Sequence, residues 1–154
     1  MLFYEDLYIG RRFTTASHTV TAEEIIAFAS QFDPQPFHTD PDAAKHSQFE
    51  GLAASGWHTS SLTMRLLSQS ALSTIANGMI GMQVDKMRWP RPTRPGDTLT
   101  AHAEVIEHKV SSSQPGFGVV KLRWETRNQN EDVAVKMETL MWVQRRESQA
   151  PGES

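Results

Sequence analysis

The residues best suited to chemistry in this sequence lie in one short stretch, Phe32-Asp33-Pro34-Gln35-Pro36-Phe37-His38. It holds a carboxylate and an imidazole five positions apart. Two prolines stiffen the segment and lower the entropy lost in keeping Asp33 beside His38. Phe32 and Phe37 are expected to keep the surroundings dry. A carboxylate and an imidazole that converge in an apolar pocket suit proton transfer, because both pKa values can then be moved toward neutrality. Spacing alone favours a plainer alternative, a helix-terminating loop in which Asp33 is a cap and His38 a satisfied surface residue. Asp and His fall this close in many chains by chance.

Two further clusters carry possible chemistry. Gly51-Leu-Ala-Ala-Ser55-Gly56-Trp57-His58 places small residues just before a long apolar segment. The first N–H groups of a helix starting there are unpaired and carry the positive end of its dipole. Such a terminus can accept negative charge developing on a carbonyl oxygen. Alternatively, Gly and Ala only let the helix pack closely, and both readings can hold together. The stretch from Lys86 to Asp97 contains the cations Lys86, Arg88, Arg91 and Arg94. It can meet a phosphate-bearing substrate or be a solvated strand end and turn, and the sequence supports both equally. Metal binding has little support: His102 and His108 share a strand face without a third partner. No G-x-S-x-G is present, only Ala54-Ser55-Gly56.

These residues need elements to position them. Thr21-Ala-Glu-Glu24 fits a capping box, and Ile25, Phe28, Ala29 and Phe32 continue it at helical spacing. The helix is expected to end near Phe32, where prolines exclude the α region for the residues before them. Asp40-Pro41 reads as an N-cap with proline at N1, opening a short helix through Ala44. A second long helix is expected from Trp57 to about Ile75. Its only charge is Arg65, so protein should surround it on most sides. Beyond Gly78 the period becomes two: Leu99 to Val105, Val120 to Trp124, and Val133 to Val143 alternate as strands. Met82–Trp89 changes phase, which a bulge or two-sided burial would explain. With an early strand near Phe13–Val20, the expected architecture is α+β, a five-stranded antiparallel sheet curled around one long apolar helix.

Length and composition bound the rest. The chain has 154 residues, 38% hydrophobic and 21% charged, with a formal charge of -3 and no cysteine. That is one globular domain, expected over residues 1–146, with a flexible polar tail over 147–154. The mildly acidic balance offers no footprint for nucleic acid. Zero cysteine removes disulfides, thiol nucleophiles and thiolate metal sites. Glu5 and Asp6 interrupt any signal-peptide pattern, and no stretch is apolar enough to span a membrane. The sequence therefore reads as a cytoplasmic protein with no membrane partner.

Together the three clusters resemble the MaoC-like dehydratases, the (R)-specific enoyl-CoA hydratase branch of the hot-dog fold. In that family a D-x-N-P-x-H pattern carries the chemistry. Asp33, Pro36 and His38 match it, and Gln35 stands at the usual Asn. Ser55-Gly56-Trp57 replaces the family's H-G-M before the central helix, keeping the Gly. Trp89, Pro92, Pro95, Gly96 and Asp97 match its strand-turn. The resemblance runs from about Phe13 to Val143. It implies a single hot-dog unit that hydrates trans-2-enoyl-CoA to 3-hydroxyacyl-CoA and runs the reverse. Asp33 and His38 would be the acid/base pair, and the Gly56 N–H would polarise the thioester carbonyl. Ser55 and Trp57 would contact substrate, with Trp57 reshaping the acyl pocket, and Arg88 and Arg91 would meet the CoA phosphates. No metal or redox cofactor is implied, since CoA is part of the substrate. A homodimer or dimer of dimers is expected. The rivals are a hot-dog acyl-CoA thioesterase, disfavoured because the central helix lacks Asp and Glu, and a non-catalytic acyl-CoA-binding hot-dog protein.

Overall fold

A computed structural model describes residues 1–147 of the chain. The expected tail beyond Glu147 lies outside the described residues. In chain order the elements are β1 (Arg12–Thr19), α1 (Ala22–Phe32), α2 (Pro36–Thr39), α3 (Pro41–Lys45), α4 (Gly56–Ser68), β2 (Ile80–Arg88), β3 (Thr98–Val110), β4 (Phe117–Arg127) and β5 (Val133–Gln144). The strands form one antiparallel sheet in the order β1-β3-β4-β5-β2.

Local chemistry accounts for the helix boundaries. Thr21 caps α1 through its hydroxyl, which accepts the Glu24 N–H at 3.2 Å, while the Glu24 carboxylate accepts the Thr21 N–H at 2.8 Å. Asp40 caps α3 by accepting the N–H groups of Asp42 and Ala43. In α4 the expected helix to Ile75 stops at Ser68. There the Ser68 hydroxyl bonds back to the carbonyls of Met64 and Arg65, and the Ser70 hydroxyl takes the Leu67 carbonyl and caps a separate 3₁₀ turn, Ala71–Thr74. Hydroxyl bonds back to the helix carbonyls also occur inside α4, at Ser60, Ser61 and Thr63, so the feature particular to the break is the Ser70 cap that starts the separate turn.

α4 lies on the inner face of the sheet. Leu66, Leu67, Leu72 and Ile75 pack with Ala101, Ala103, Val105, Val120, Leu122, Met141 and Val143 in one core. A fully buried aliphatic side chain contributes about 1.5–3 kcal/mol to such packing. Val20, Ile25, Ala44, Leu62 and Leu99 form a second cluster that ties the α1–α3 segment to the same face. Buried hydroxyls pair where α4 meets other elements: Thr59 with Thr93 at 2.9 Å, and Thr63 with Thr126 at 2.6 Å. The expectation that protein surrounds α4 is corrected on one side. Trp57, Ser61, Met64, Arg65 and Ser68 are exposed, so the helix buries a stripe and leaves a face open.

β2 does not form a hairpin with β3. It crosses to the far edge and pairs with β5. Its phase change is a bulge: the register shifts twice, and Lys86 has φ +52°. Two-sided burial is absent from it. Ile80, Met82 and Val84 are each about half exposed on this edge strand. No helix among the described residues is long and apolar enough to cross a membrane.

Candidate active site

Asp33 is the residue that ends α1, with its backbone in neither helix nor strand conformation (φ −154°, ψ 68°). Pro34 and Pro36 then turn the chain, and Pro36 opens the single turn of α2 that carries His38. The stiffened loop brings the two side chains together: His38 Nε2 stands 3.3 Å from Asp33 Oδ2. His38 is 5% exposed, so the surface-residue alternative does not hold.

The other imidazole nitrogen fixes the ring. His38 Nδ1 lies 2.6 Å from the carbonyl oxygen of Ala53. A carbonyl only accepts, so Nδ1 carries the hydrogen, and in the neutral ring Nε2 presents a lone pair toward Asp33. Phe37 stands edge-on to the imidazole with ring centres 4.5 Å apart, and Phe49 lies 5.9 Å away.

Asp33 does not drift toward neutrality as the sequence suggested. Burial pushes its pKa up, but hydrogen bonds from the Gln35 amide and the Ser55 hydroxyl, with the charge that His38 carries when protonated, outweigh that effect. The net result lies below the ordinary carboxylate range, so Asp33 is ionised at neutral pH. Gln35 Nε2 donates to Asp33 Oδ1 at 2.6 Å, leaving Oδ2 to face the imidazole.

Both groups open into a pocket of about 280 Å³, shared with the start of α4. Ser55 is fully buried and caps that helix, its Oγ accepting the Trp57 N–H at 3.3 Å. The N–H groups of His58 and Thr59 donate to the Ser55 carbonyl. Among the described residues no acceptor meets the Gly56 N–H, so the first turn keeps one free donor beside the Asp33/His38 pair. Gly56 has no room for a side chain, because a Cβ there would stand 2.7 Å from the Trp89 indole. That indole donates from Nε1 to the Gly56 carbonyl at 2.9 Å and roofs the helix terminus. Trp57 meets it edge-on at 5.4 Å and is 58% exposed at the rim.

The remaining sequence candidates divide. Arg91 lines the pocket and lies 3.7 Å from Asp132. Arg88 is not brought to it. It lies with Lys86, Arg123 and Lys136 in a separate depression around Glu138. Phe32, expected to dry the site, is 64% exposed and packs on Phe28. The apolar wall is built instead by Phe49, Ala54, Trp89 and Ala134. The Ala53 carbonyl escaped the sequence reading because a backbone oxygen leaves no signal in residue type. Trp89 was visible there only as part of a motif match.

Residues 6–127 match the family model described as MaoC like domain. A MaoC-like dehydratase from Rhodospirillum rubrum is similar in structure, with TM-score 0.91 and 47% identity, over 96% of this chain and 100% of that one. An (R)-hydratase from A. caviae involved in PHA biosynthesis has TM-score 0.71 and 28% identity, over 89% of this chain and 97% of that one. The uncharacterized protein YdeM of Bacillus subtilis is 28% identical over 142 residues, which is 92% of this chain and 98% of the relative. The five-stranded sheet with its helix is the hot-dog fold.

Proposed function

The chain belongs to the MaoC-like domain family, and on that premise we propose that it is an (R)-specific enoyl-CoA hydratase that uses Asp33 and His38. The observation that carries this reading is the pairing of a carboxylate with an Nδ1-anchored imidazole beside a helix-terminus N–H that meets no acceptor among the described residues. A water between Asp33 Oδ2 and His38 Nε2 finds two acceptors for its two hydrogens. Its oxygen lone pair is thereby directed at Cβ of a trans-2-enoyl thioester. As the C–O bond forms, charge moves to the thioester oxygen, where the Gly56 N–H and the α4 dipole stabilise it. The proton taken from water by the pair returns to Cα on the same face, so water adds across the double bond with nothing left over. The step changes no oxidation state and calls for no metal or redox cofactor.

Arg91, which lines the pocket, would meet a CoA phosphate. A thioesterase reading finds no carboxylate on α4 to support it. The exposed apolar edge of β2 favours a homodimer formed edge to edge.

The test is hydration of crotonyl-CoA, followed by loss of enoyl-thioester absorbance. Wild type is expected to turn over, while Asp33→Asn and His38→Ala fold normally and lose activity by about 10²–10⁴-fold. Inactivity of wild type toward short, medium and branched enoyl-CoAs would overturn the proposal.

A further inference from the structure

Arg94 belongs by sequence to the basic stretch, yet its guanidinium turns inward. Nη1 donates to the carbonyl oxygens of Gly51 at 2.9 Å and Leu52 at 3.3 Å, and Nη2 donates to the carbonyl of Phe49. Gathering several acceptors is what a planar fork of N–H donors does and a point-charge ammonium does poorly.

The base of this arm is rigid. Arg94-Pro95-Gly96-Asp97 is a turn closed by the Asp97 N–H on the Arg94 carbonyl at 3.1 Å. Proline at its second position and Gly96 at φ +88° at its third follow the type II pattern. The Asp97 carboxylate accepts the Arg94 N–H at 2.8 Å and the Gln129 amide at 3.1 Å.

One residue of the segment that the arm holds is in an unfavourable backbone region. Glu50, between the clamped carbonyls of Phe49 and Gly51, has φ +57°, a region that disfavours a residue with a Cβ. The segment runs directly into Ala53, whose carbonyl accepts the His38 Nδ1–H. It also carries Phe49, which lines the pocket and faces the His38 ring.

We propose that Arg94 is a positioning residue of the site: by clamping the carbonyls of Phe49, Gly51 and Leu52, it acts with the Ala54 N–H bond to the Thr93 carbonyl to set the Ala53 carbonyl, and through it the tautomer and orientation of His38. The kinetic consequence rests on the hydratase reading, but the geometric consequence does not.

Two measurements on Arg94→Met and Arg94→Lys keep these apart. The first is nitrogen and proton NMR of the His38 imidazole. In Arg94→Met the Nδ1–H signal is expected to exchange faster, with the other tautomer appearing. Arg94→Lys, with the charge but not the fork, is expected to restore it only in part. The second is crotonyl-CoA hydration, in which Arg94→Met loses about 10²-fold in kcat with KM little changed, as expected for a misplaced reacting group. His38 signals identical to wild type in either variant overturn the proposal, even if the melting temperature falls. Should wild type hydrate no enoyl-CoA, the hydratase reading fails while the NMR comparison still decides the role of Arg94.

Discussion

Gly56→Ala adds a single methyl group at the point where the helix terminus meets Trp89. The new Cβ would stand 2.7 Å from indole Cε2 and 2.9 Å from Cδ2 and Nε1. Carbon atoms rest at about 3.5 Å or more, so the ring or the terminus must move by about 0.8 Å. Neither is free to do so. The indole is held by the Gly56 carbonyl at 2.9 Å and the Ser60 hydroxyl at 3.3 Å, and the terminus is held by the Ser55 cap. Overpacking of this kind costs about 1–3 kcal/mol, partly offset by the ~0.5–1 kcal/mol by which Ala is preferred to Gly in a helix. The net loss of stability is therefore modest, about 0–2.5 kcal/mol, and calorimetry should show a folded protein. Catalysis should suffer more. On the proposed mechanism, a donor displaced by most of an ångström contributes little to the developing oxyanion, and losing one such donor costs about 10²–10³-fold in kcat. The assay is initial-rate hydration of crotonyl-CoA for Gly56→Ala, Trp89→Ala and the double variant. Without the indole the methyl group has space, so the two effects should be strongly non-additive. A wild-type kcat in Gly56→Ala would refute the reasoning, as would an equal penalty with and without Trp89.

Two further outcomes are expected. His58 is buried against Phe28, with stacked rings 4.7 Å apart and Nδ1 unpartnered among the described residues. Burial lowers its pKa, against the opposing charge of Glu24 and with the smaller repulsion of His18 and Arg65. The unfolded chain thus binds a proton more readily, and stability is full above the ordinary value of 6.5 and falls as pH drops below it. His58→Phe should flatten the fall in melting temperature between neutral and mildly acid pH, and an unchanged profile would exclude His58 as its source. Val84→Arg, on the exposed edge of β2, should convert the proposed dimer to monomer in light scattering; a variant that remains dimeric would place the interface elsewhere.

The features legible in the sequence are those whose cause is local. The capping box at Thr21 and the Asp40-Pro41 start depend on contacts within four residues, and the strands announce themselves by alternation. The Asp33/His38 pair was legible only because two prolines stiffen the five-residue span and because several motifs together resemble one family. Spacing alone argued for the plainer reading. What tertiary structure decided is the set of contacts between distant segments. It buried His38 and gave it the Ala53 carbonyl. It held Asp33 ionised, where residue types suggested a carboxyl drifting toward neutrality. It turned Arg94 away from solvent onto a loop more than 40 residues earlier, while Arg88, six residues away, stayed outside the pocket. It also sent β2 to the far edge of the sheet, where apolar residues remain uncovered. Residue type states what a side chain can do. Which of its options is used depends on the acceptors, charges and walls that the rest of the chain brings within about 3 Å, and those are specified by packing.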